Sequence, residues 1–356
     1  MSQFSLRSPK SLRNCHSRQQ YKFLFINIIT FFLLISNNVQ VHGQPHVSLI
    51  DTDVRRIKFY LFPKAHDLQY KEELLFGDMN SVRKSSFRPN ILTCFLTHGF
   101  LDDYKGLEAI KDAYLKQGFQ ANIIVMDWSA LSQPRFPKNF VELFGILFSY
   151  KDVLNNLEPI AMRIAMFIQM LVHNNIATLN KLHLIGHSLG AHISGNVGKH
   201  IRTQLFPGMK AERVTGLDPA GPAFVPPLLG PVIPMDPADA NFVDSIHSDA
   251  DLNGIPIDDG IVDFFPNGGQ DQPGCFPISD CSHKYAINIY AASVSKKYVG
   301  CQCDIHFLST PALGSFSLGS ITLDRCLLPC IYPTYLGPYC SHEAKGDFYL
   351  KAPNPP

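Results

Sequence analysis

Short apolar runs recur along the chain, with segments between them that are long enough for a helix. The runs are Ile91–Thr97, Ala121–Asp127, Leu182–Ile185 and Arg213–Leu217. Short apolar runs bounded by turn residues are typical of strands that are buried on both faces of a sheet. Strands that alternate with helices predict a mostly parallel central sheet covered by helices on both faces, which is an α/β fold.

The clearest helix is predicted after Pro159, where apolar side chains recur at helical spacing. The side chains that share this face are Ile160, Ile164, Phe167, Ile168 and Leu171. Such a face is explained by packing against a core. Beyond position 44 the chain has no internal repeat and no linker rich in glycine, serine or proline, so a single domain over residues 44–356 is predicted.

The first 43 residues have the pattern of a signal peptide. Basic side chains without an acidic one precede the apolar run Phe23–Ser36, and a suitable cleavage point follows at Gly43. The run is 14 residues long, short of the roughly 20 that a membrane-spanning helix needs. Cleavage is therefore favoured over a retained anchor, and the mature chain is predicted to be secreted into the extracellular space.

Removal of this segment changes the charge of the chain. Five of the 31 basic side chains lie in it and none of the 30 acidic ones, which leaves 26 basic against 30 acidic side chains and a net charge of −4. Nucleic acid is therefore not expected as a partner, because phosphate binding needs clustered Lys and Arg. Strong electrostatic attachment to anionic lipid is not expected either.

Eight of the nine cysteines remain after this removal. An even number in an oxidising compartment indicates disulfides, and spacing alone assigns one pair, the near neighbours Cys275 and Cys281. A metal site among the four cysteines of residues 301–330 is the alternative, but these cysteines match no fixed zinc spacing. No cofactor is predicted.

An apolar strand runs directly into Gly186-His-Ser188-Leu-Gly190, which a helix is predicted to follow. This is the context of a nucleophile elbow, a sharp turn between strand and helix that exposes a serine hydroxyl. Both glycines remove side chains where strand and helix approach each other, so Ser188 can adopt strained backbone geometry. Ser188 is therefore the candidate nucleophile.

A serine hydroxyl needs a base, and the base needs an orienting carboxylate, here in the chain order Ser, Asp, His. Asp218 ends the apolar strand that follows Ser188, although an ordinary Asp-Pro turn would look the same. His283 comes next, shortly after Cys281. These residues complete a candidate triad.

The chain has 14 histidines, so the others need an interpretation. His187 adjoins the nucleophile and is expected to point elsewhere. His98 and His247 are interpreted as core or turn residues.

Eight segments carry motifs in a consistent order over most of the mature chain: Thr97–Phe100, Val125–Trp128, Leu184–His192, Gly216–Pro222, Asp239–His247, Asp263–Gly269, Gln272–Cys275 and Cys281–His283. Together they resemble the pancreatic lipase family, and in particular its short-loop phospholipase A1 branch, which includes insect venom phospholipases. The resemblance implies an α/β-hydrolase fold with the triad Ser188, Asp218 and His283. It also implies an oxyanion hole formed by the backbone N–H groups of Phe100 and Leu189, although core packing would equally explain Phe100.

A calcium site is a weaker implication of the resemblance. Lipases of this family often hold a structural calcium ion near Asp-Pro-x-Asp, which Asp236 and Asp239 match. The Arg and Glu that usually precede this motif are replaced here by Pro234 and Pro231. A solvated turn or helix cap is the favoured interpretation, and no metal is assigned.

Two loops are shorter than in the triacylglycerol lipases that resemble this chain. Five residues separate Cys275 from Cys281, too few for a swinging lid, and the loop at 249–262 is also short. In this family the two shortenings accompany phospholipase A1 activity. The apolar segment Leu131–Tyr150 is either a buried helix or a patch at the rim of the cleft. With its end at Pro356, the chain is expected to lack the C-terminal β-sandwich of related lipases, and colipase is not an expected partner.

The resemblance therefore implies hydrolysis of acyl esters of glycerolipids at a lipid surface, with phospholipase A1 activity at the sn-1 position favoured. Triacylglycerol or galactolipid hydrolysis stays open, because loop length is only an associational criterion. A non-catalytic storage or carrier protein is the alternative from another class, since the family includes yolk proteins that keep the fold and lose the serine. The complete triad argues against that alternative.

Overall fold

The computed structural model describes residues 51–133, 149–224, 232–250, 252–276, 280–302, 330 and 332–354. The predicted signal peptide and most of the apolar segment Leu131–Tyr150 lie outside these ranges. Among the helices within them, none combines the length and the apolar character that crossing a bilayer requires.

The described strands form one sheet in the order β2-β1-β4-β3-β5-β6-β7-β8-β11-β9-β10. They are β1 Lys58–Leu61, β2 Glu72–Leu74, β3 Leu92–Thr97, β4 Ala121–Asp127, β5 Leu182–His187, β6 Ala211–Leu217, β7 Ala240–Ile246, β8 Val262–Pro266, β9 Val299–Gln302, β10 Pro333–Tyr335 and β11 Gly346–Leu350. Pairing is parallel from β4 through β8 and on to β11. The pairs formed by β1 and β9 are antiparallel. The predicted mostly parallel sheet is confirmed.

Helices cover both faces of this sheet. The α-helices whose two ends both lie within the described residues are α1 Met79–Lys84, α2 Glu108–Lys116, α3 Ser129–Ser132, α4 Leu157–His173, α5 Leu189–His200 and α6 Cys281–Ser293. Helices α4 and α5 pack on one face around Ile164, Phe167 and Ile193, and α2 and α6 pack on the other around Tyr114 and Tyr290. Since the central strands are buried on both sides, their sequences are nearly continuous apolar runs.

Helix α4 contains the predicted amphipathic segment, and all five side chains of the predicted face are buried. It begins two residues before Pro159, which lies in the first turn, where its missing N–H removes no helical hydrogen bond. The sequence pattern therefore identified both the helix and the face that it buries.

Cysteine pairing matches the prediction only in part. Cys275 bonds to Cys281, as predicted, and Cys301 bonds to Cys330, which excludes a metal thiolate role for that pair. Cys94, however, is a free thiol in β3, and Cys340 is also free; both are buried. The expectation that every cysteine pairs is wrong for these two, because a buried Cys packs as a small apolar side chain.

The strand order and the crossovers define an α/β-hydrolase fold, as the sequence motifs implied. The parallel strands β5, β6 and β7 end at His187, Leu217 and Ile246, and they end at the same edge of the sheet. In open parallel sheets ligands bind beyond the carboxyl ends of the strands. This edge is where the candidate active site lies.

Candidate active site

Ser188 forms the turn between β5 and α5 by itself. Its backbone has φ 57° and ψ −124°, a conformation that side-chain-bearing residues rarely adopt. Its N–H donates to the carbonyl of Leu217 at 3.1 Å, which fixes the turn against the end of β6. Ser188 is 8% exposed, so its hydroxyl lies in a cleft and not on an open surface.

The two elbow glycines are required by close backbone contact. A Cβ atom on Gly186 would lie 2.0 Å from the carbonyl oxygen of Gly190, and one on Gly190 would lie 2.2 Å from that of Thr97. Any larger residue would push strand and helix apart. The elbow predicted from the sequence is therefore present, with the steric reason that was given for it.

Asp218 and His283 are in direct contact. The Oδ2 atom of Asp218 lies 2.5 Å from Nδ1 of His283. Its Oδ1 atom accepts two backbone hydrogen bonds, from Ser248 at 2.6 Å and from Asp249 at 2.9 Å. Because an ionised carboxylate can only accept, Nδ1 of His283 carries the proton and its Nε2 atom has the lone pair.

A set of hydrogen bonds holds the start of α6, where His283 is the third residue. The Ser248 hydroxyl donates to the carbonyl of Ser282 at 2.7 Å, and the Ser282 hydroxyl accepts from the N–H of Gln272 at 3.0 Å. The side chain of Gln272 donates in turn to the carbonyl of Ser248 at 3.0 Å. Neither Ser248 nor Gln272 is predicted as a site residue from the sequence, although Gln272 begins one of the matched motifs.

The loop after β3 brings the backbone of Phe100 to the elbow. A Cβ atom on Gly99 would lie 2.9 Å from Cβ of Ser188. Trp128 fixes this loop, because its indole N–H donates to the carbonyl of His98 at 2.9 Å and its backbone N–H donates to the His98 ring at 3.1 Å. Neither the N–H of Phe100 nor that of Leu189 has an acceptor among the described residues.

Both interpretations of Phe100, core packing and an oxyanion-hole amide, therefore have support. Its ring packs partly buried against the core and edge-on to Tyr150, while its amide lies in the loop beside Ser188. The amide of Leu189 is at the first position of α5, where the helix dipole favours negative charge.

The prediction that His187 points away from the site is wrong. Its ring centroid lies 4.5 Å from that of His283, and its Nε2–H donates to the backbone carbonyl of His283 at 3.1 Å. Burial, followed by the nearby His283, holds the pKa of His187 well below its usual range. The residue is a neutral spacer between the elbow and helix α6.

His192 contacts two stretches of the segment between β6 and β7. Its Nε2–H donates to the carbonyl of Ala220 at 2.8 Å, and Nδ1 accepts the backbone N–H of Met235 at 3.1 Å. The ring stacks on Phe224 with centroids 3.7 Å apart. Burial lowers the pKa of His192 to about 4, which agrees with the neutral ring that this donor and acceptor pair requires.

The Asp236 to Asp239 segment is a closed turn. Asp239 is buried, and its carboxylate accepts the N–H of Asp236 at 3.0 Å while its own N–H donates to the carbonyl of Asp236 at 2.9 Å. A solvated turn or helix cap was expected. The turn is present, but Asp239 is not solvated, because α5 packs directly on it at Gly198. Burial raises the pKa of Asp239 to about 7.

A second cluster of ionisable groups lies behind Asp218. His247, Asp259 and Asp263 are buried, and atoms that could bind a metal lie within 4.8 Å of one another. The His247 ring, however, already contacts Asp263 at 2.8 Å and the carbonyl of Ile255 at 3.3 Å. Its nitrogens are therefore oriented toward hydrogen-bond acceptors, which is the arrangement of a protonated ring rather than of a metal ligand.

The fold, the strained serine and the aspartate–histidine pair define the chain as a protein of the α/β-hydrolase class with a serine-centred site. The family model of lipases matches residues 36–305, three quarters of the chain. The chain therefore belongs to the lipase family, and the predicted relation to pancreatic lipases is confirmed by its relatives.

The relatives include phospholipases and lipases. Phospholipase A1 member A of Bos taurus is 29% identical over 309 residues, which cover 78% of this chain and 62% of that protein. Lipase member H of Oryctolagus cuniculus is 32% identical over 70% of this chain and 51% of its own length. Pancreatic triacylglycerol lipase of Mus musculus is 35% identical over 61% and 43%. The chain thus spans about three fifths or less of the length of these relatives.

Proposed function

We propose that this protein is a secreted serine esterase of the lipase type, with Ser188 as nucleophile, His283 as general base and Asp218 as orienting acid. The observation that carries this proposal is the 2.5 Å contact between Asp218 and Nδ1 of His283. Ser188 has strained backbone geometry, and the ring of its neighbour His187 packs against the ring of His283. Secretion is proposed from the N-terminal segment, whose basic start and short apolar run predict a cleaved signal.

The proposed reaction is acyl transfer to water through a covalent intermediate. As the Oγ atom of Ser188 attacks the ester carbonyl, Nε2 of His283 accepts the hydroxyl proton and Asp218 stabilises the resulting imidazolium. The developing oxyanion accepts hydrogen bonds from the amides of Phe100 and Leu189, which have no other acceptor in the described part of the chain. His283 then protonates the leaving alcohol, and water activated by the same histidine releases the acid.

The proposed substrate is a glycerolipid in a lipid surface. Three exposed apolar side chains lie on loops that build the site. Leu101 follows Phe100 in the loop after β3, and Phe276 follows Cys275. Ile257 follows Gly254, where the loop approaches Asp218. Phe276 is 67% exposed. Apolar side chains around a cleft favour contact with a lipid surface over contact with a dissolved ester. No nucleic acid and no colipase is needed by this proposal.

Phospholipase A1 activity at the sn-1 position is favoured over triacylglycerol or galactolipid hydrolysis. The disulfide between Cys275 and Cys281 closes a ring that holds five residues between its cysteines, which leaves the cleft space for a polar head group. Phospholipases A1 are among the relatives that cover most of this chain. A storage or carrier role is disfavoured, because Ser188, Asp218 and His283 would all be dispensable to it.

The test uses a phosphatidylcholine with different acyl chains at its two positions, beside triolein in a matched dispersion. We expect the sn-1 acid and 2-acyl lysophospholipid as the main products, at a higher rate than oleate from triolein. Organophosphate labelling of Ser188 is the direct test of the nucleophile. Strong preference for triolein without lysophospholipid would reject the substrate, and hydrolysis without labelling of Ser188 would reject the mechanism.

The small ring also predicts the response to a lipid interface. A ring of this size offers no second closed state that an interface would open. The rate is expected to rise smoothly as phospholipid passes its critical micelle concentration. A sharp jump there would assign the lid to another segment, such as Leu131–Tyr150.

A further inference from the structure

His247 follows strand β7 and is fully buried beside the site. Its backbone N–H donates to the carbonyl of Phe264 in β8 at 2.9 Å, and its ring stacks on Phe265 with centroids 4.8 Å apart. Both contacts are made by the neighbouring strand. They attach His247 to β8.

Both ring nitrogens of His247 face acceptors. Nε2 lies 2.8 Å from Oδ1 of Asp263, and Nδ1 lies 3.3 Å from the carbonyl oxygen of Ile255. A neutral imidazole has one N–H and could satisfy one of them, so the pair of acceptors calls for an imidazolium. The Oδ1 atom of Asp263 also accepts the N–H groups of Asp259 and Gly260, each at 3.2 Å, so its position is fixed as well.

The charges around His247 favour its proton. Although burial lowers the pKa of His247, the hydrogen bond to Asp263 and the charges of Asp263, Asp259 and Asp218 raise it to about 9. Asp259 lies in the loop between β7 and β8, with Oδ1 at 3.8 Å from Nε2 of His247, and burial raises the pKa of Asp259 to about 7. Within the part of the chain that the structure describes, the buried carboxylate oxygens of Asp259 have no hydrogen-bond partner.

Further acidic groups border this cluster at a greater distance. Asp258 lies in the same loop as Asp259, and Asp347 comes from β11; oxygens of both lie within 4.8 Å of Asp263. Burial raises the pKa of Asp347 to about 6, and it raises that of Asp258 as well. All of these groups are acidic, so above neutral pH they add negative charge around the ring of His247.

The contacts of His247 lead directly to Asp218. The next two residues along the chain, Ser248 and Asp249, supply the two amides that bind Oδ1 of Asp218. On the other side, Ile255 accepts from His247 and donates its own N–H to the carbonyl of Pro219 at 2.7 Å. His247 therefore joins both stretches of backbone that flank the carboxylate.

We propose that His247, held as an imidazolium by Asp263, is a positioning residue for the proposed triad: it fixes the two amides on Oδ1 of Asp218, so that Oδ2 stays aimed at His283. The inference rests on the proposed function, since it assigns a role only if Asp218 orients a catalytic base. His247 itself touches neither substrate nor the reacting atoms.

The proposal predicts a specific alkaline limb. When the pH rises through about 9, His247 loses its proton, one of its two acceptors loses its donor, and the loop that holds Asp218 is released. Activity that depends on the protonated form is complete below this pH and is lost above it. A purely structural packing role for the ring would not give this pH dependence.

The experiment compares secreted wild type with His247→Gln on a soluble short-chain ester between pH 6 and 10, with kcat and KM measured separately. Glutamine keeps a donor for Asp263 but carries no charge. We expect kcat to fall about 10- to 100-fold at pH 8, as misplaced catalytic groups cause, with KM within about twofold and the limb near pH 9 absent. His183→Gln is the matched control.

His183 suits this purpose because it is also a buried histidine in the sheet, with Nε2 2.8 Å from the hydroxyl of Thr215, and it has no hydrogen bond to the backbone around Asp218. Its replacement is expected to lower the thermal midpoint while leaving kcat and the alkaline limb as in wild type. If His247→Gln kept its kcat within threefold and retained the limb, or if it behaved like His183→Gln, the proposal would be overturned.

Asp263→Asn decides the matter if His247→Gln does not fold. It keeps the size of the side chain and removes the counter-ion, so the alkaline midpoint should move below 9 with a similar loss in kcat. An unmoved midpoint would contradict the proposal.

Failure of the proposed function has a different outcome. Hydrolysis that is equal in wild type and Ser188→Ala would remove the esterase proposal and this inference with it. A wild type that is active, a Ser188→Ala variant that is inactive and an unimpaired His247→Gln variant would remove this inference alone.

Discussion

The Ser188 side of the candidate site is held by backbone packing, whereas the side formed by Asp218 and His283 is held by hydrogen bonds and buried charge. At the elbow, Gly190 lies against the carbonyl of Thr97 so closely that no Cβ atom fits. Around Asp218, two amides and His283 share the carboxylate, and His247 lies behind them. The first arrangement is fixed by shape, and the second by proton positions and charge.

This difference determines how each side should fail. Removing a hydroxyl at the elbow leaves the packing intact, whereas adding a methyl group there disturbs the fold. Changing one proton or one charge around Asp218 should alter the rate and its pH dependence with little change in shape. Substitutions on each side can therefore separate steric control of the elbow from electrostatic control of the groups around Asp218.

Ser188→Ala should lower esterase turnover by about 10⁴-fold or more, because the nucleophile acts as a unit with its base. Secretion and the thermal midpoint should stay close to those of wild type, since alanine occupies the same turn. Initial rates and thermal unfolding measure the two effects. Activity within tenfold of wild type would reject Ser188 as the nucleophile.

Gly190→Ala is the steric counterpart, because it keeps the serine and adds one methyl group. Its Cβ atom would lie 2.2 Å and 2.5 Å from the carbonyl oxygens of Thr97 and His98, so the thermal midpoint should fall together with activity. A folded Gly190→Ala variant with normal stability would show that the elbow is less constrained than the structure indicates.

Asp218→Asn should lower turnover on the order of 10⁴-fold with little change in stability. The amide oxygen can still accept from Ser248 and Asp249, but the NH₂ group then faces His283. Nδ1 must accept, the proton moves to Nε2, and the ring can no longer take a proton from Ser188. Full activity in this variant, with another carboxylate found essential, would reject the assignment.

The sequence was sufficient to predict the elbow because its requirements are local. Gly186, Ser188 and Gly190 lie within five residues, and the flanking strand and helix are visible as apolar patterns. Asp218 and His283 could be proposed from the sequence because the chain order of a triad and the strand end restricted the choice, and the two side chains are in contact. The sheet followed from its apolar runs for the same reason.

The support around Asp218 could not be predicted in the same way. His247 gains its charge from Asp263, on the next strand, and from Asp259, in a loop between the two, so no spacing in the sequence indicates the contact. The contact of His187 with His283 likewise depends on how α6 docks on β5. The pairing of Cys301 with Cys330 joins positions 29 residues apart, and eight cysteines allow too many pairings for spacing to choose.

His192 allows the electrostatic side to be tested through stability instead of rate. Its pKa is lowered to about 4 by burial, so the folded protein keeps the ring neutral while the unfolded chain protonates it near the usual 6.5. The contribution of the neutral His192 ring to the free energy of unfolding is complete above about pH 6.5. It is lost as the pH falls to about 4, by up to about 3 kcal/mol.

His192→Gln should reduce this dependence, since glutamine can donate to Ala220 and accept from Met235 without titrating. Urea unfolding at pH 7 and pH 4.5 measures the slope, and His66→Gln, an exposed histidine, is the control that should leave it unchanged. Some slope should remain, because burial also lowers the pKa of His187. An unchanged slope in His192→Gln would show that His192 is not a neutral tether.

Removal of each disulfide is expected to have the smallest effect on turnover, and it separates effects on stability from effects on rate. Cys275 and Cys281 are six positions apart and precede His283. Cys301 and Cys330 are 29 positions apart, and Cys301 lies in β9. By loop-closure entropy the short ring contributes about 2 kcal/mol and the long one about 3.5 kcal/mol. Loss of the Cys301–Cys330 disulfide should therefore lower the free energy of unfolding more than loss of the Cys275–Cys281 disulfide.

The opposite order is expected for kcat. Replacing Cys275 and Cys281 by serine frees the segment before α6, and the Gln272 to Ser282 hydrogen bond is left to hold the start of the helix that carries His283. Turnover should fall several-fold although stability falls least, while Cys301→Ser with Cys330→Ser should unfold more readily and keep its kcat. If both double variants lost activity only in proportion to the fraction unfolded, the short ring would serve stability alone, and the position of His283 would be set entirely by the hydrogen bonds around Ser248 and Gln272.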